Sequence, residues 1–446
     1  SDPQNNLAAT YSKVAQGVGG PNFEMAVSAY SQALEIYTPE GYPNECRNAG
    51  LRLGALYADN NNWERASSAY RRALIAIESL YQSALSRTSQ ESELKSTHDL
   101  YRRAAYAFAK VGDLKTAVET LEQGRARGLS EALQRDRADL EAVREIAPEL
   151  VDRYQAAANT MRLLESTERQ DVLTSNQPQS STETFRQQTT QARQILQDCL
   201  VEIRQIPGYE TFLTLPTFDN IAATLQPNQP LIYLMSISNG SLALVLDRST
   251  TNPEHSVTGE GQVAITPIWL EGFTETNLFA LLNNAEKSGW LDAYQKQTSD
   301  RAAWFAAIDH TLKSLWQPIL VPILRHLSQT KRSSATLIPT GFYSFLPLHA
   351  AWTRDNRGNR RYACDFIQFC YAPNALSLKA ASEIVARTPA NQLLVINDPQ
   401  PTGSSPLLSS GEETAKAVAA FPGKGNWKLL QHEAATPTNV GAALPS

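Results

Sequence analysis

The side chains best suited to chemistry are four cysteines, Cys46, Cys199, Cys364 and Cys370, and six histidines. An imidazole beside a thiol can take its proton and leave a nucleophilic thiolate. Thiols and imidazoles clustered together can instead hold a metal. Spacing supports neither arrangement. No cysteine pair has metal-ligand separation with histidines nearby, and His310 and His326 lie on one helix at no shared ligand spacing. His349 follows Pro347 in a turn and reads as structural. Cys199 and Cys370 read as core filling, and a Cys370–His432 dyad is disfavoured. No residue is assigned a catalytic, cofactor or metal role, and no cofactor is expected.

Other chemistries fail on their own patterns. There is no GxxxxGK[ST] phosphate loop, and no HExxH. The GGP at 19–21 and the GNR at 358–360 lack the strand-to-helix context that phosphate binding needs. Glu412 and Glu413 are adjacent, so they point different ways on a helix and form no paired site. No basic stretch with interleaved aromatics marks a nucleic-acid surface.

Composition sets the frame. The 446 residues allow two or three domains. A hydrophobic fraction of 42%, a charged fraction of 19% and a net charge of −5 describe an ordinary chain with no basic excess. Scattered cysteines make no disulfide scaffold and suit a reducing cytoplasm. No apolar run approaches the roughly 18 residues of a membrane span. The start, SDPQNN, is not a signal peptide.

Three copies of one helical pattern occupy the N-terminal third. Ala66, Tyr70 and Ala73 recur as Ala117, Leu121 and Gly124, and as Ala26, Tyr30 and Ala33 ahead of Pro39. Leu53, Gly54 and Tyr57, and then Tyr101, Ala105 and Phe108, place a helix before the later two. Small residues at Gly54 and Ala66 let paired helices approach. Asn61 or Asn62 can cap the second helix, whose apolar series Ala66, Ala69, Tyr70, Ala73, Ile77 and Leu80 follows the 3.6 period. The copies resemble tetratricopeptide repeats, although they stand farther apart than the standard ~34 residues. A plain helical bundle is the alternative. Stacked pairs would form a solenoid whose concave face binds a protein.

A connector follows. Leu140, Val143, Ala147, Leu150, Tyr154, Ala157, Met161 and Leu164 mark one helical face, or two helices meeting near Pro148. A loop is expected over 172–182, and then a helix from about Glu183 to Ile206 whose inner face includes Ile195, Cys199 and Ile203.

After Pro207 the pattern changes to α/β. Two strand-like runs within 231–247 flank Asn239-Gly240, a tight-hairpin signal. A helix over 302–327 carries Trp304, Ile308, Leu315 and Ile319 on one face. A strand over 335–340 ends at Gly341. A helix near 376–386, a strand within 391–399, a helix from about Glu412 to Ala420 and a strand over 427–431 follow. Thr436-Pro437 then starts another helix. Alternating strands and helices belong to a parallel α/β unit. A two-stranded parallel sheet leaves its inner edge without a partner, so the domain is expected to be incomplete at Ser446.

Several segments, in this order, resemble the CHAT family of caspase-like domains associated with tetratricopeptide repeats. They are AVETLEQGRARGLSEAL (117–133), IRQIPGYETFL (203–213), LIPTGFYSFLPLHAAW (337–352), YAPNALSL (371–378), LLVINDP (393–399), Glu413 and LLQHEAATPTNV. The resemblance implies a fold of α plus α/β class: a TPR-like helical solenoid followed by a truncated, three-layer α/β/α CHAT domain. The divisions would be 1–135 for the repeats, 136–206 for the connector, 207–388 for the first α/β part and 389–446 for the start of the catalytic core.

The resemblance also implies a bacterial-type cysteine peptidase, with a histidine in a His-Gly after one strand and a cysteine in an Ala-Cys context after the next. None of the six histidines precedes glycine. His432 is nearest in order but precedes the second helix of that core. Cys364 and Cys370 fall in the preceding part. The dyad is therefore expected beyond residue 446, with the chain a fragment, a cleavage product or part of a longer polypeptide.

Three functions follow: the sensor and scaffold portion of a cysteine endopeptidase, an inactive scaffold or regulator, or a repeat protein with an unrelated α/β domain. A caspase-like core should place the 393 and 427 strands side by side. An acidic pocket for a basic substrate residue is common in such peptidases; none is assigned here, with Asp398 and Glu412 loosely suggestive and helix capping the plainer reading of Glu412. The expected partners are a protein substrate or activator on the repeat face and a separate C-terminal catalytic fragment. No direct nucleic-acid contact and no membrane is expected, and the expected location is the cytoplasm.

Overall fold

The computed structural model describes residues 21–83, 87–125, 140–160, 180–207, 209, 216–248, 263–270, 272–283, 289–387, 392–399, 407, 409–421 and 425–443. The chain divides into two compact units, Ser1–Lys379 and Ala380–Ser446.

The first unit begins with helices α1 (Pro21–Ile36), α2 (Pro43–Asp59), α3 (Trp63–Ser83), α4 (Arg87–Lys110) and α5 (Leu114–Gln123). Each packs on the next. The small residues explain the close approach. A Cβ on Gly54 would lie 2.4 Å from the Tyr70 ring, and one on Gly124 would lie 2.6 Å from Tyr101. The ends are capped as the residue types dictate. Asn62 accepts from Arg65 N at 3.2 Å, and Asp113 accepts from Thr116 N at 3.3 Å. The series from Ala66 to Leu80 is buried throughout.

The connector is two helices. α6 (Leu140–Ile146) and α7 (148–160) meet at Ala147, because Pro148 has no N–H to continue the ladder. Val143, Leu150, Tyr154 and Ala157 pack with α8 (Ser180–Ile203). Met161, Leu164 and the expected loop up to 179 lie outside the described residues, while 180–182 are already helical. On α8 the buried face holds Ala192, Leu196, Cys199, Leu200 and Ile203. Ile195 is instead 38% exposed, one step off the stripe.

A short α9 (Phe218–Ala222) leads into the sheet. Its strands are β1 (Leu231–Ile237), β2 (Gly240–Arg248), β3 (Val263–Leu270), β4 (Ser334–Pro339) and β7 (Gln368–Tyr371), in the order β3-β2-β1-β4-β7. β1 pairs antiparallel with β2 and parallel with β4, which pairs parallel with β7. The β1–β2 loop is Ser238-Asn239, one residue earlier than the Asn-Gly signal places it, since Gly240 already pairs with Ile237.

The strand period of two sorts the sheet's faces. Leu231, Tyr233, Met235 and Ile237 join the core of α3–α5. Ile232 and Leu234 join a second core with α10 (Glu275–Leu282) and α13 (Val321–Gln329). Helices thus cover both faces. Between α10 and α13 lie α11 (Trp290–Gln295) and α12 (Arg301–Leu315). The single helix expected over 302–327 is interrupted by a π turn at Trp316–Leu320. Pro318 and Pro322 lack the N–H groups an unbroken ladder needs. Between β4 and β7 runs a small hairpin of β5 (Trp352–Arg354) and β6 (Arg360–Tyr362).

The division between units falls within α14 (Ala375–Arg387). The second unit contains β8 (Leu393–Asn397), α15 (Ser410–Ala420), β9 (Trp427–Gln431) and α16 (Pro437–Ala443). β8 and β9 pair in parallel, with Leu393 opposite Trp427 and Asn397 opposite Gln431. Thr436 caps α16 by accepting from Asn439 N at 3.2 Å.

Candidate functional site

In α/β sheets ligands bind beyond the carboxyl ends of parallel strands. The described residues form two such edges, one in each unit.

The edge formed by β1, β4 and β7 is filled by side chains from α4 and α5. Arg102 donates to Ser236 O at 3.0 Å and to Glu275 Oε1 at 2.5 Å. Gly341, just after β4, has φ +56°, and a Cβ there would lie 2.6 Å from Arg102 Nη1. Arg125 donates to Pro373 O and to Ser344 Oγ, both at 3.1 Å. Asn374 Nδ2 returns a bond to Arg125 O at 2.7 Å. The void left among these groups is only about 10 Å³.

Glu122 completes the closure. Its side chain is fully buried. Oε2 accepts from Tyr233 Oη at 2.6 Å and from Ala375 N at 3.0 Å, and Oε1 accepts from Leu376 N at 2.8 Å. The carboxylate therefore caps α14 from a distant helix. Burial pushes the Glu122 carboxyl up from its ordinary value, while the three hydrogen bonds and Arg125 pull it back. Burial pushes the Tyr233 hydroxyl well above its ordinary value, and the Glu122 charge adds to the effect. Arg102 Nε and Ser236 Oγ, both buried, have no hydrogen-bond partner, but with so little space left this edge is a structural junction.

The edge formed by β8 and β9 is built differently. Asp398 follows β8 with φ +41°, and His432 follows β9 with φ +50°. Both are residue types that tolerate the left-handed region, and such backbones gather at functional sites. Asp398 Oδ2 lies 3.7 Å from His432 Nδ1. The Asp398 side chain is 9% exposed and that of His432 is 56% exposed. Asn397 beside them is buried, and its Oδ1 has no hydrogen-bond partner. This edge offers a shielded carboxylate, an accessible imidazole and an unsatisfied carbonyl oxygen. Together they can receive a cationic or hydrogen-bond-donating group. The second unit contains no cysteine, so a thiol for chemistry at this edge would have to come from elsewhere.

The remaining sequence candidates are dispersed. Cys46 and Cys199 are buried, and burial pushes both thiols up. Cys370 is not core filling: it is exposed. It sits on β7, a sheet-edge strand most of whose residues are exposed. It belongs to the first unit, whereas His432 faces Asp398 in the second. Cys364 is exposed in the 3-10 turn after β6, in the sequence Ala363-Cys364. His349 is held by Tyr371, whose hydroxyl oxygen lies 3.0 Å from both its backbone N and its Nδ1. Burial pushes the Tyr371 hydroxyl up, and Cys364 acts in the same direction. Burial lowers His326, against the pull of Asp247. Glu412 forms an exposed ion pair with Lys416 at 2.7 Å. GNR at 358–360 runs from the hairpin turn, with Gly358 at φ +82°, into the first residue of β6. Among the described residues no group of three or more His, Cys, Asp or Glu side chains is arranged to hold a metal.

Glu122 and Arg102 were not legible as a site. Each is one polar residue on an otherwise ordinary helix, and its partners lie far along the chain. The only local signal is a carboxylate directly after the buried Leu121.

No curated protein matches the chain. The CHAT domain family model matches residues 309–446, from the middle of α12 through both β4–β7 and the β8–β9 pair. The chain is thus an N-terminal helical region followed by a mixed α/β part, and its residues 309–446 are a CHAT domain of caspase-like fold.

Proposed function

We propose that this chain is the sensor and scaffold portion of a tetratricopeptide-CHAT cysteine endopeptidase, with its His/Cys dyad supplied by residues outside this sequence. The observation that carries the reading is the β8–β9 edge. Adjoining parallel strands of a CHAT domain end there in Asp398 and His432. Asp398 is the better candidate for receiving a basic substrate side chain, because it is shielded, whereas Glu412 is exposed. The helices α1–α5 act as tetratricopeptide-like repeats that bind a protein substrate or an activating partner. A groove of about 430 Å³ lined by Leu74, Ile75, Phe108 and Thr116 supports that role. The protein then works in a bacterial-type cytoplasm.

The experiment is cleavage of fluorogenic peptides bearing arginine before the cut, by the gene-encoded polypeptide that contains this sequence. Cleavage should be blocked by a thiol alkylator and should fall about tenfold or more in Asp398→Asn. An inert polypeptide would leave the alternative, a catalytically inactive scaffold or regulatory module. The filled strand edge of the first unit favours that alternative.

A further inference from the structure

Helix α12 and the β5–β6 hairpin enclose a groove of about 480 Å³ that belongs to neither strand edge. Its walls are largely carbon, from Phe305, Ile308, Leu312, Ala350 and Trp352. Phe305 is 53% exposed at the rim. A large exposed aromatic beside an apolar groove is a typical anchor point for a partner's side chain.

The hairpin reverses the sign of charge seen in the whole chain. The net charge of the protein is −5, yet residues 352–362 carry Arg354, Arg357, Arg360 and Arg361 against Asp355 alone. Trp352 is the platform for two of them and for Lys313 of α12. Arg360 Cζ lies 4.1 Å from its ring centroid, Lys313 Nζ 5.5 Å and Arg354 Cζ 5.6 Å. The neighbouring carboxylates are already engaged. Asp309 pairs with Arg360 at 2.7 Å and Asp365 with Arg361 at 3.4 Å. Asp355 folds the turn by accepting from Arg357 N and Asn359 N at 2.8 Å each. Arg354 donates to Gly358 O at 2.7 Å, which holds its guanidinium by the turn. Lys313, Arg354 and Arg357 remain exposed, and among the described residues none of them forms an ion pair with a carboxylate.

We propose that this groove docks an extended acidic segment of a protein partner. Its carboxylates meet Lys313, Arg354 and Arg357, and one large apolar side chain enters the groove beside Phe305. Charge complementarity selects an acidic ligand, and the carbon walls select a peptide over a nucleic acid. A phosphate polymer needs a continuous basic track, whereas these cations are confined to one hairpin and to Lys313 on the facing helix, and give way to an apolar wall.

The test is a random-peptide display library panned on the whole chain, followed by fluorescence polarisation with the labelled consensus peptide. Enriched peptides should be net acidic with one aromatic or large aliphatic residue. Affinity should fall roughly tenfold or more in the double variant Arg354→Glu, Arg357→Glu, and by a comparable factor in Phe305→Ala. All three positions are exposed, so the variants should keep the wild-type melting temperature, which is measured alongside. Peptides without an acidic bias, or bound equally by the charge-reversed variant, overturn the proposal. So does binding that follows the arginines but ignores Phe305 and is matched by an oligo(U) probe, since that describes a polyanion surface.

Discussion

Replacing Glu122 with alanine tests how much its three hydrogen bonds contribute to the junction at the first strand edge. The substitution strands three donors: Tyr233 Oη, Ala375 N and Leu376 N. A buried donor left unpaired costs roughly 1–3 kcal/mol. Tyr233 Oη and Ala375 N are buried, whereas Leu376 N is only partly so, and water can serve it. The expected loss is on the order of 3–5 kcal/mol. Urea unfolding followed by far-UV circular dichroism measures it. A double-mutant cycle sharpens the test. Tyr233→Phe deletes one of the three donors, so Glu122→Ala should cost about 1–2 kcal/mol less in that background. A loss below about 1 kcal/mol, or strict additivity of the two substitutions, would refute the reasoning.

Gly341→Ala should destabilise by about 2 kcal/mol or more, because its φ of +56° disfavours any side chain and Arg102 occupies the space. Gly358→Ala, at φ +82° in open space, should cost about half as much; equal melting temperatures for the two variants would contradict this. In the native protein iodoacetamide should label Cys364 and Cys370, while Cys46 and Cys199 react only after unfolding; peptide mapping by mass spectrometry distinguishes the pairs. Folded His326 resists protonation while unfolded His326 takes up a proton near its ordinary value of 6.5. Its contribution to stability is therefore full above that pH and is lost as the pH falls through the window below it. His326→Gln should flatten that part of the stability–pH curve, and an unchanged slope would rule the assignment out.

What the sequence revealed depended on how far apart the interacting residues lie. The helical pairs could be read because Gly54 meets Tyr70 and Gly124 meets Tyr101 within neighbouring helices. The β8–β9 pair could be read because parallel strands around a helix leave a regular apolar pattern. The segments β3, β5, β6 and β7 were missed. They are short or half-exposed, and their alternation is blurred by arginines and aromatics. Cys370 looked apolar enough for the core, but a strand at the rim of a sheet need not bury both faces. Ile195 shows the converse limit of helical periodicity, where a single step decides between core and solvent. The β8–β9 site was only half visible. Asp398 was an acidic candidate and His432 a histidine out of place, and only the resemblance, which sets the 393 and 427 strands side by side, pointed to a shared edge. Glu122 carried only a local signal, its place directly after Leu121, because its backbone partners are 253 and 254 residues away.

That separation also sets a schedule for the newborn protein. The helices that carry Glu122 and Arg102 leave the ribosome long before Gly341, Ala375 and Leu376 exist. At about 5–20 residues per second the wait for Ala375 is roughly 12–50 s, far longer than a helix needs to form. During that interval a carboxylate and a guanidinium destined for burial stand in water beside an uncovered apolar face. The N-terminal third therefore cannot reach its final packing during its own synthesis, and it depends on late-made backbone to finish. A stalled or early-terminated chain would present that unfinished face to chaperones and proteases.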